Sequence, residues 1–400
     1  MLSPARDIEC VKTALRFGAD AVYVGGSRLQ LRAESSGFTS DQLTEACRIV
    51  HEKGKHLYVT VNAFPENREI DELPDYAREL KACGADALIV SDLGAIAALR
   101  KACPDLSIHV STQANCLNYA SANAYASMGV KRIVLGREMT LKDIAILREK
   151  TDPSLQLEAF IHGAMCMAYS GRCMISAALT GRSANRGACT QSCRWTYQLM
   201  EDKRPGQYFP VFEDDHGMTL LSSYDLCTLP FLDELIGAGI YSFKIEGRMK
   251  SAYYVAAVTN AYRKRLDDIL YHRPSNVAFL MEELNSISHR TYGTGFYYSE
   301  AIHAMAAEEE YKQDCLFVGS VTGSAEKGRV RIQLRNRIQE GALIEVLSPF
   351  ISGASFRAEN IINDNGDRIS CADRPSEIYE MDCPLQLEEG DLLRIRIHQL

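Results

Sequence analysis

Four cysteines lie near one another in EAFIHGAMCMAYSGRCMISAALTGRSANRGACTQSCRW, which runs from Glu158 to Trp195. They are Cys166, Cys173, Cys189 and Cys193, with six, fifteen and three residues between them. Thiolates are metal ligands. A segment rich in Gly, Ser, Arg and Asn, with few large apolar side chains, gains its cross-links when each thiolate ties a loop to a common centre. The alternative is a loop with scattered buried thiols. Structural zinc usually takes two short CxxC-like knuckles, and only Cys189 and Cys193 are that close. Iron–sulfur cubanes take four thiolates at more varied spacings. The pattern therefore favours a 4Fe–4S cluster, with zinc as the alternative and Cys227, in SSYDLC, as the reserve ligand.

Polar residues at the ends of strand-like runs form a second group: Asn62, Ser91, Asp92, Ser111, Gln113, Arg137, Glu138, Glu158, His162, Lys244, Glu246 and Arg248. Loop capping or a buried ion pair is the competing role for each. In KIEGR, extended backbone puts Lys244 and Glu246 on one face, and Arg248 follows a glycine. Arginine binds carboxylates bidentately, so Arg137 and Arg248 are the candidates for an anionic substrate. Glu246 is equally suited to pairing with one of them. His162, four residues before the first cysteine, is a proton-transfer candidate or a satisfied structural histidine. Trp195, the one tryptophan, either stacks on an extruded base or packs against the cysteine loop. Arg172, Arg182, Arg186 and Arg194 surround the cysteines and suit either phosphates or a negatively charged cluster.

The elements that must hold these groups alternate. Leu2–Pro4, Ala21–Gly26, Lys55–Asn62, Ala87–Ser91, Ser107–Thr112, Arg132–Leu135, Leu157–Ile161 and Tyr241–Ile245 read as eight strands. Between them lie amphipathic helical segments at Asp7–Gly18, Leu43–Glu52, Tyr76–Cys83, Ala95–Ala102, Ser121–Gly129 and Leu141–Lys150. Strands buried on both faces and separated by helices make a parallel sheet. Eight such units predict an α/β fold, a closed (β/α)8 TIM-type barrel, with an open doubly wound sheet as the alternative. The barrel spans 1–271, and a cysteine-rich insertion, 162–227, follows the seventh strand. It should therefore emerge at the C-terminal mouth, where such barrels carry their active sites. Residues 272–312 read as a helix and a Gly/Tyr-rich linker. Short alternating strands with turn signals follow over 313–400, the pattern of a small β-barrel domain.

Nearly half the residues are apolar, enough for sizeable cores. No apolar run is long enough to span a membrane, and the opening MLSPARDIEC lacks a secretory pattern. With thirteen cysteines, the chain reads as a cytoplasmic protein with reduced thiols. Those outside the central stretch, such as Cys47 and Cys83, sit in helical patterns as small buried hydrophobes. A net charge of −8 argues mildly against a long nucleic acid held by charge alone. The acidic residues, however, cluster away from the cysteines, at 212–217 and 308–311.

HGAMCMAYSGRC, followed by NRGACTQSCRW and later by KIEGRMKS at Lys244–Ser251, resembles the signature of the collagenase-like peptidase family, U32, over nearly the whole chain. The resemblance is strongest to the branch that hydroxylates the wobble uridine of tRNA with prephenate as co-substrate. It implies a 4Fe–4S cluster on Cys166, Cys173, Cys189 and Cys193. It also implies a C-terminal β domain, a candidate for holding the tRNA body. On this reading the product is 5-hydroxyuridine. The two carboxylates of prephenate would meet Arg137 and Arg248, beside Gln113, Asn62 and Trp195. His162, Glu158, Lys244 and Glu246 are the candidates for catalysis. The chain departs from the family where Pro4-Ala5-Arg6 replaces its usual Pro-Ala-Gly turn. Two other functions are weighed: a peptidase, for which only a His162–Cys166 dyad offers a nucleophile, and a non-catalytic iron–sulfur partner of another family member.

Overall fold

The computed structural model describes residues 1–31, 37–166, 168–195, 199–200, 208–209, 212–214, 217–219, 224–298, 311–324 and 328–397. Glu308–Glu310 of the acidic cluster, Asp215 and His216 of the other, Ser299 and Glu300 of the Gly/Tyr-rich stretch, and residues 325–327 of the C-terminal strand region lie outside the described residues. The chain forms two compact units. One comprises Met1–Leu15, Ala19–Lys250 and Arg290–Glu310; the other comprises Arg16–Gly18, Ser251–His289 and Tyr311–Leu400.

The first unit is a closed parallel barrel. Its strands are β1 (Leu2–Pro4), β2 (Ala21–Gly25), β3 (His56–Val61), β4 (Ala87–Val90), β5 (Ser107–Val110), β6 (Arg132–Val134), β7 (Gln156–Ala164) and β8 (Ser242–Ile245). Each pairs with the next. β8 closes the ring by pairing with β7 (Ser242↔Glu158) and β1 (Leu2↔Lys244). The β-branched runs explain these strands: AVYVG of β2 and ALIV of β4 are buried at every position, as expected when helices cover the outer face and side chains fill the lumen. The expected eight strands are these eight, within a residue or two at most ends. β7 is longer than its apolar run, reaching Ala164. The reason is non-local: Asp225–Cys227 runs antiparallel to its end (Cys227↔His162, Asp225↔Ala164) and gives it a partner beyond the barrel rim.

The helices begin where caps allow. Thr39 and Gln42 form a capping box for Ser40–Glu52, and Asp92 accepts from Ala95 N at 2.8 Å to start Leu93–Ala102. Asp92, a site candidate by sequence, is thus occupied as a cap. Helix Asn67–Ala82 starts well before the expected Tyr76. Pro74 reads as a breaker, yet a capping box between Glu66 and Glu69 starts the helix upstream and the proline is accommodated inside it.

The second unit contains helices Ala252–Leu270 and Val277–Asn285 and a seven-stranded antiparallel sheet curled around one apolar core. Strands Ser355–Arg357 and Glu359–Asn363 border opposite edges of that sheet but follow each other in the chain, joined at Ala358. One bent segment thus serves both edges, which blunts the exposed ladders of an open sheet. Among the described residues no helix is long and apolar enough to cross a membrane.

Candidate active site at the barrel mouth

The C-terminal ends of the strands carry the polar groups expected there. Arg137, after β6, donates from Nη1 to the carbonyl of Ala164 at 2.7 Å. Its guanidinium lies over the Phe160 ring at 4.1 Å, and Nη2 stands 3.7 Å from Glu246 Oε2. Arg248 is buried and donates from Nη1 to Thr60 Oγ1 at 2.8 Å. Gly25 makes room for it: a Cβ there would stand 2.3 Å from Arg248 Nη1 and 2.0 Å from Gln30 Oε1. Asn62 Oδ1 and Gln113 Oε1 are buried without a hydrogen-bond partner. So is the oxygen of Asn115, whose residue adopts a left-handed φ of 53°. A buried acceptor left unmade costs about 1–3 kcal/mol, so these amides are poised for a donor from a ligand. Ser91 Oγ bonds the Asn62 carbonyl at 2.9 Å, and Ser111 caps the turn Thr112–Ala114. Those two hydroxyls have local structural roles.

Beneath the mouth lies an ionic layer that sequence reasoning found only in part. Glu158 is fully buried. Its Oε2 accepts from Arg132 Nη1 at 3.1 Å and Ser242 Oγ at 2.8 Å, and its Oε1 is 3.3 Å from Lys244 Nζ. The Lys244 ammonium also sits 4.4 Å from the Tyr23 ring centre. Burial alone raises the Glu158 carboxyl. The Lys244 ammonium and Arg132 guanidinium outweigh that effect and hold it below the ordinary carboxylate value. His109, on β5 opposite Arg132, is buried edge-on to Tyr58 with ring centres 4.7 Å apart. Burial, reinforced by Arg132, pushes its imidazole down to about 3, so it is neutral at physiological pH. Arg132 and His109 had a legible signal: each is a polar residue inside a run otherwise buried on both faces. Thr60 and Gln30 had none. His162 is also buried, 5.3 Å from the Tyr292 ring centre, inside the extension of β7 rather than in the mouth's ionic layer.

The cysteine segment docks onto this rim. Ser170 donates from its backbone N to Glu138 Oε1 at 2.8 Å. Phe64 N donates to the Asn185 carbonyl at 3.2 Å. Arg186 donates to the Phe64 carbonyl at 2.7 Å and pairs with Glu69 at 3.2 Å. The acidic capping box of helix Asn67–Ala82 therefore also binds the segment. At Gly171 (φ +72°) the backbone passes so near β5's exit that a Cβ would stand 2.1 Å from the Gln113 carbonyl oxygen. Gly171→Ala should lift the segment from the rim. A misplacement of about 1 Å at a reacting site costs on the order of a hundredfold in rate. The expected outcome is that loss of product turnover, with an unchanged urea midpoint; wild-type turnover would show that the docking is dispensable.

Cys166 is exposed, and Cys173, Cys189 and Cys193 are half-buried. The other six cysteines of the barrel unit are buried, Cys227 included. Burial pushes Cys10 and Cys47 up to about 12 and Cys116 up to about 11, so these three stay protonated. Among the described residues, no three His, Cys, Asp or Glu side chains converge on a single-ion site. Four thiols on one segment are the donor set of a cubane, and of a zinc site as well. Trp195 is 41% exposed, at the end of the same segment.

A closed (β/α)8 barrel whose mouth is lined by arginines and amides and capped by a thiol-bearing segment defines an enzyme-type site. The chain belongs to peptidase family U32: that family's pattern matches residues 6–306, and the pattern of the U32 C-terminal domain matches residues 313–394. It is 33% identical to tRNA hydroxylation protein P of Escherichia coli (strain K12), over 99% of this chain and 96% of that protein. It is 34% identical to tRNA hydroxylation protein P1 of Bacillus subtilis (strain 168), over 98% and 94%. It is also 40% identical to the 23S rRNA 5-hydroxycytidine C2501 synthase of Escherichia coli (strain K12), over 68% of this chain and 40% of that protein.

Proposed function

We propose that this chain is an RNA-hydroxylating enzyme that converts the wobble uridine of tRNA to 5-hydroxyuridine, with prephenate as co-substrate and a 4Fe–4S cluster on Cys166, Cys173, Cys189 and Cys193. The observation that carries the reading is the docking of the four-thiol segment on the barrel mouth through Ser170, Gly171, Asn185 and Arg186. It holds the segment that carries the thiols on the rim from which the strand-end polar groups project. The near full-length relatives named for tRNA hydroxylation support the RNA class.

The chain's own groups divide the work. Arg137, braced by the Ala164 carbonyl and the Phe160 ring, offers a guanidinium to a carboxylate. Arg248, fixed by Thr60, offers a second, matching a dicarboxylate co-substrate. Asn62 and Gln113 present unpaired acceptors to an N–H or O–H donor of the bound base or co-substrate. Glu246, 3.7 Å from Arg137, is the partly exposed carboxylate placed to hold a proton at the mouth. Lys244 and Glu158 support that layer from below. A bound cluster would supply an electron-transfer centre whose potential is set by its charge, hydrogen bonds and exposure.

The test is nucleoside analysis of RNA from a strain lacking the gene. Loss of 5-hydroxyuridine from tRNA is expected, restored by the wild-type gene only when prephenate is supplied. Loss of hydroxycytidine from rRNA instead would move the substrate to rRNA, and unchanged nucleosides in both would remove the reading.

A further inference from the structure

From Ala159 to Met200 the chain has no Asp or Glu and four Arg, within a protein of net charge −8. The middle of this stretch folds on itself: Thr190 N donates to Ser176 Oγ at 3.1 Å, and Asn185 Nδ2 donates to the Cys173 carbonyl at 3.0 Å. Part of it is taken up by docking on the barrel rim. The segment also exposes large apolar groups, with Tyr169 58%, Met174 69%, Leu179 52% and Trp195 41% accessible. Arg172 is exposed among them. Exposed apolar groups gathered on one segment mark an interaction surface. The segment itself brings arginine and no acid, which suits a polyanion; the acids expected to lie away from it do come near, because strand Gly217–Thr219, paired with the acidic strand Phe212–Asp214, packs on Ser192–Arg194. Aromatic rings need unpaired base faces, which a single strand offers and a duplex hides.

We propose that the exposed side chains of this segment grip the single-stranded part of an RNA, with Tyr169 and Trp195 stacking on bases and Arg172 meeting a phosphate. The inference rests on the RNA reading above and adds where the strand is held. Arg186 takes no part, because its guanidinium is committed to Glu69 and the Phe64 carbonyl. Tyr241, 64% exposed just before β8, is an aromatic side chain at the barrel's opposite end and serves as a control.

The experiment uses full-length protein and fluorescence anisotropy, with a labelled oligouridylate and a labelled RNA duplex. Tyr169→Ala and Trp195→Ala should each weaken oligouridylate binding about tenfold. Tyr241→Ala should change nothing. Arg172→Gln should lower the slope of log affinity against log salt by about one. Wild-type affinity in both aromatic variants overturns the proposal, as does an equal loss on the duplex. If that happens while 5-hydroxyuridine still depends on the gene, the RNA reading stands without this grip. If the aromatic variants lose binding but the gene proves irrelevant to RNA nucleosides, the grip stands and the hydroxylation reading falls.

Discussion

Serine in place of Cys166, Cys173, Cys189 or Cys193 is expected to abolish both bound iron and 5-hydroxyuridine formation. Wild-type protein purified without oxygen should carry about four irons and four sulfides per chain, the content of one cubane. Each single variant removes one of four thiolates, and serine, a harder and far less acidic donor, is a poor substitute for a thiolate on iron. The matching control is Cys10→Ser or Cys47→Ser. Burial pushes both thiols up to about 12, so they stay protonated and are not available as ligands. Those variants should keep wild-type iron and activity. Stoichiometric zinc would establish the alternative metal. Iron retained in all four serine variants would remove the cluster from these residues and leave them as surface thiols.

Replacing Glu158 with Gln should produce the largest loss of stability in the barrel. Glu158 is fully buried between Arg132 and Lys244, so the variant leaves two buried cations facing a neutral amide. Removing one partner of a buried pair costs about 3–5 kcal/mol, against a total stability of about 5–15 kcal/mol for a typical domain. Urea unfolding of the barrel at neutral pH would measure it. A loss below about 1 kcal/mol would show that the layer is hydrated or rearranged, as expected only for exposed pairs. The double variant Glu158→Gln with Lys244→Met should recover part of the loss, because the remaining pairing deficit is smaller.

The same layer fixes the sign of the pH dependence. His109 has a folded-state value of about 3, below its ordinary 6.5, so the unfolded chain binds the extra proton first. Its contribution is complete above 6.5 and is lost as pH falls towards 3. Glu158 is likewise held below its ordinary value of 4.5, and its contribution is lost as pH falls below that value. Both groups therefore act in the same direction, and the barrel should lose stability steadily on acidification from about pH 6.5. His109→Gln should flatten the upper part of that profile.

The strands and most helix starts were legible because their causes are local. A β-branched run closed by glycine makes β2 wherever it lies, and Thr39 with Gln42 starts its helix from three residues away. The cysteine spacing and the KIEGR alternation are equally local; the expectation that the cysteine segment lies at the mouth rests on its following the seventh strand. The tertiary structure alone decided what those residues touch. Arg186 finds Glu69 across 117 residues, and Ser242 finds Glu158 across 84. Lys244 is an ion-pair partner in the lumen because strand register sets it beside Phe160 of β7 and Leu2 of β1. β7 outgrows its apolar run because a distant strand pairs with its end. The amino-acid pattern determines which face of a strand is apolar and where a helix begins. Which charges meet inside a closed barrel depends on register and closure, and those are properties of the assembled sheet.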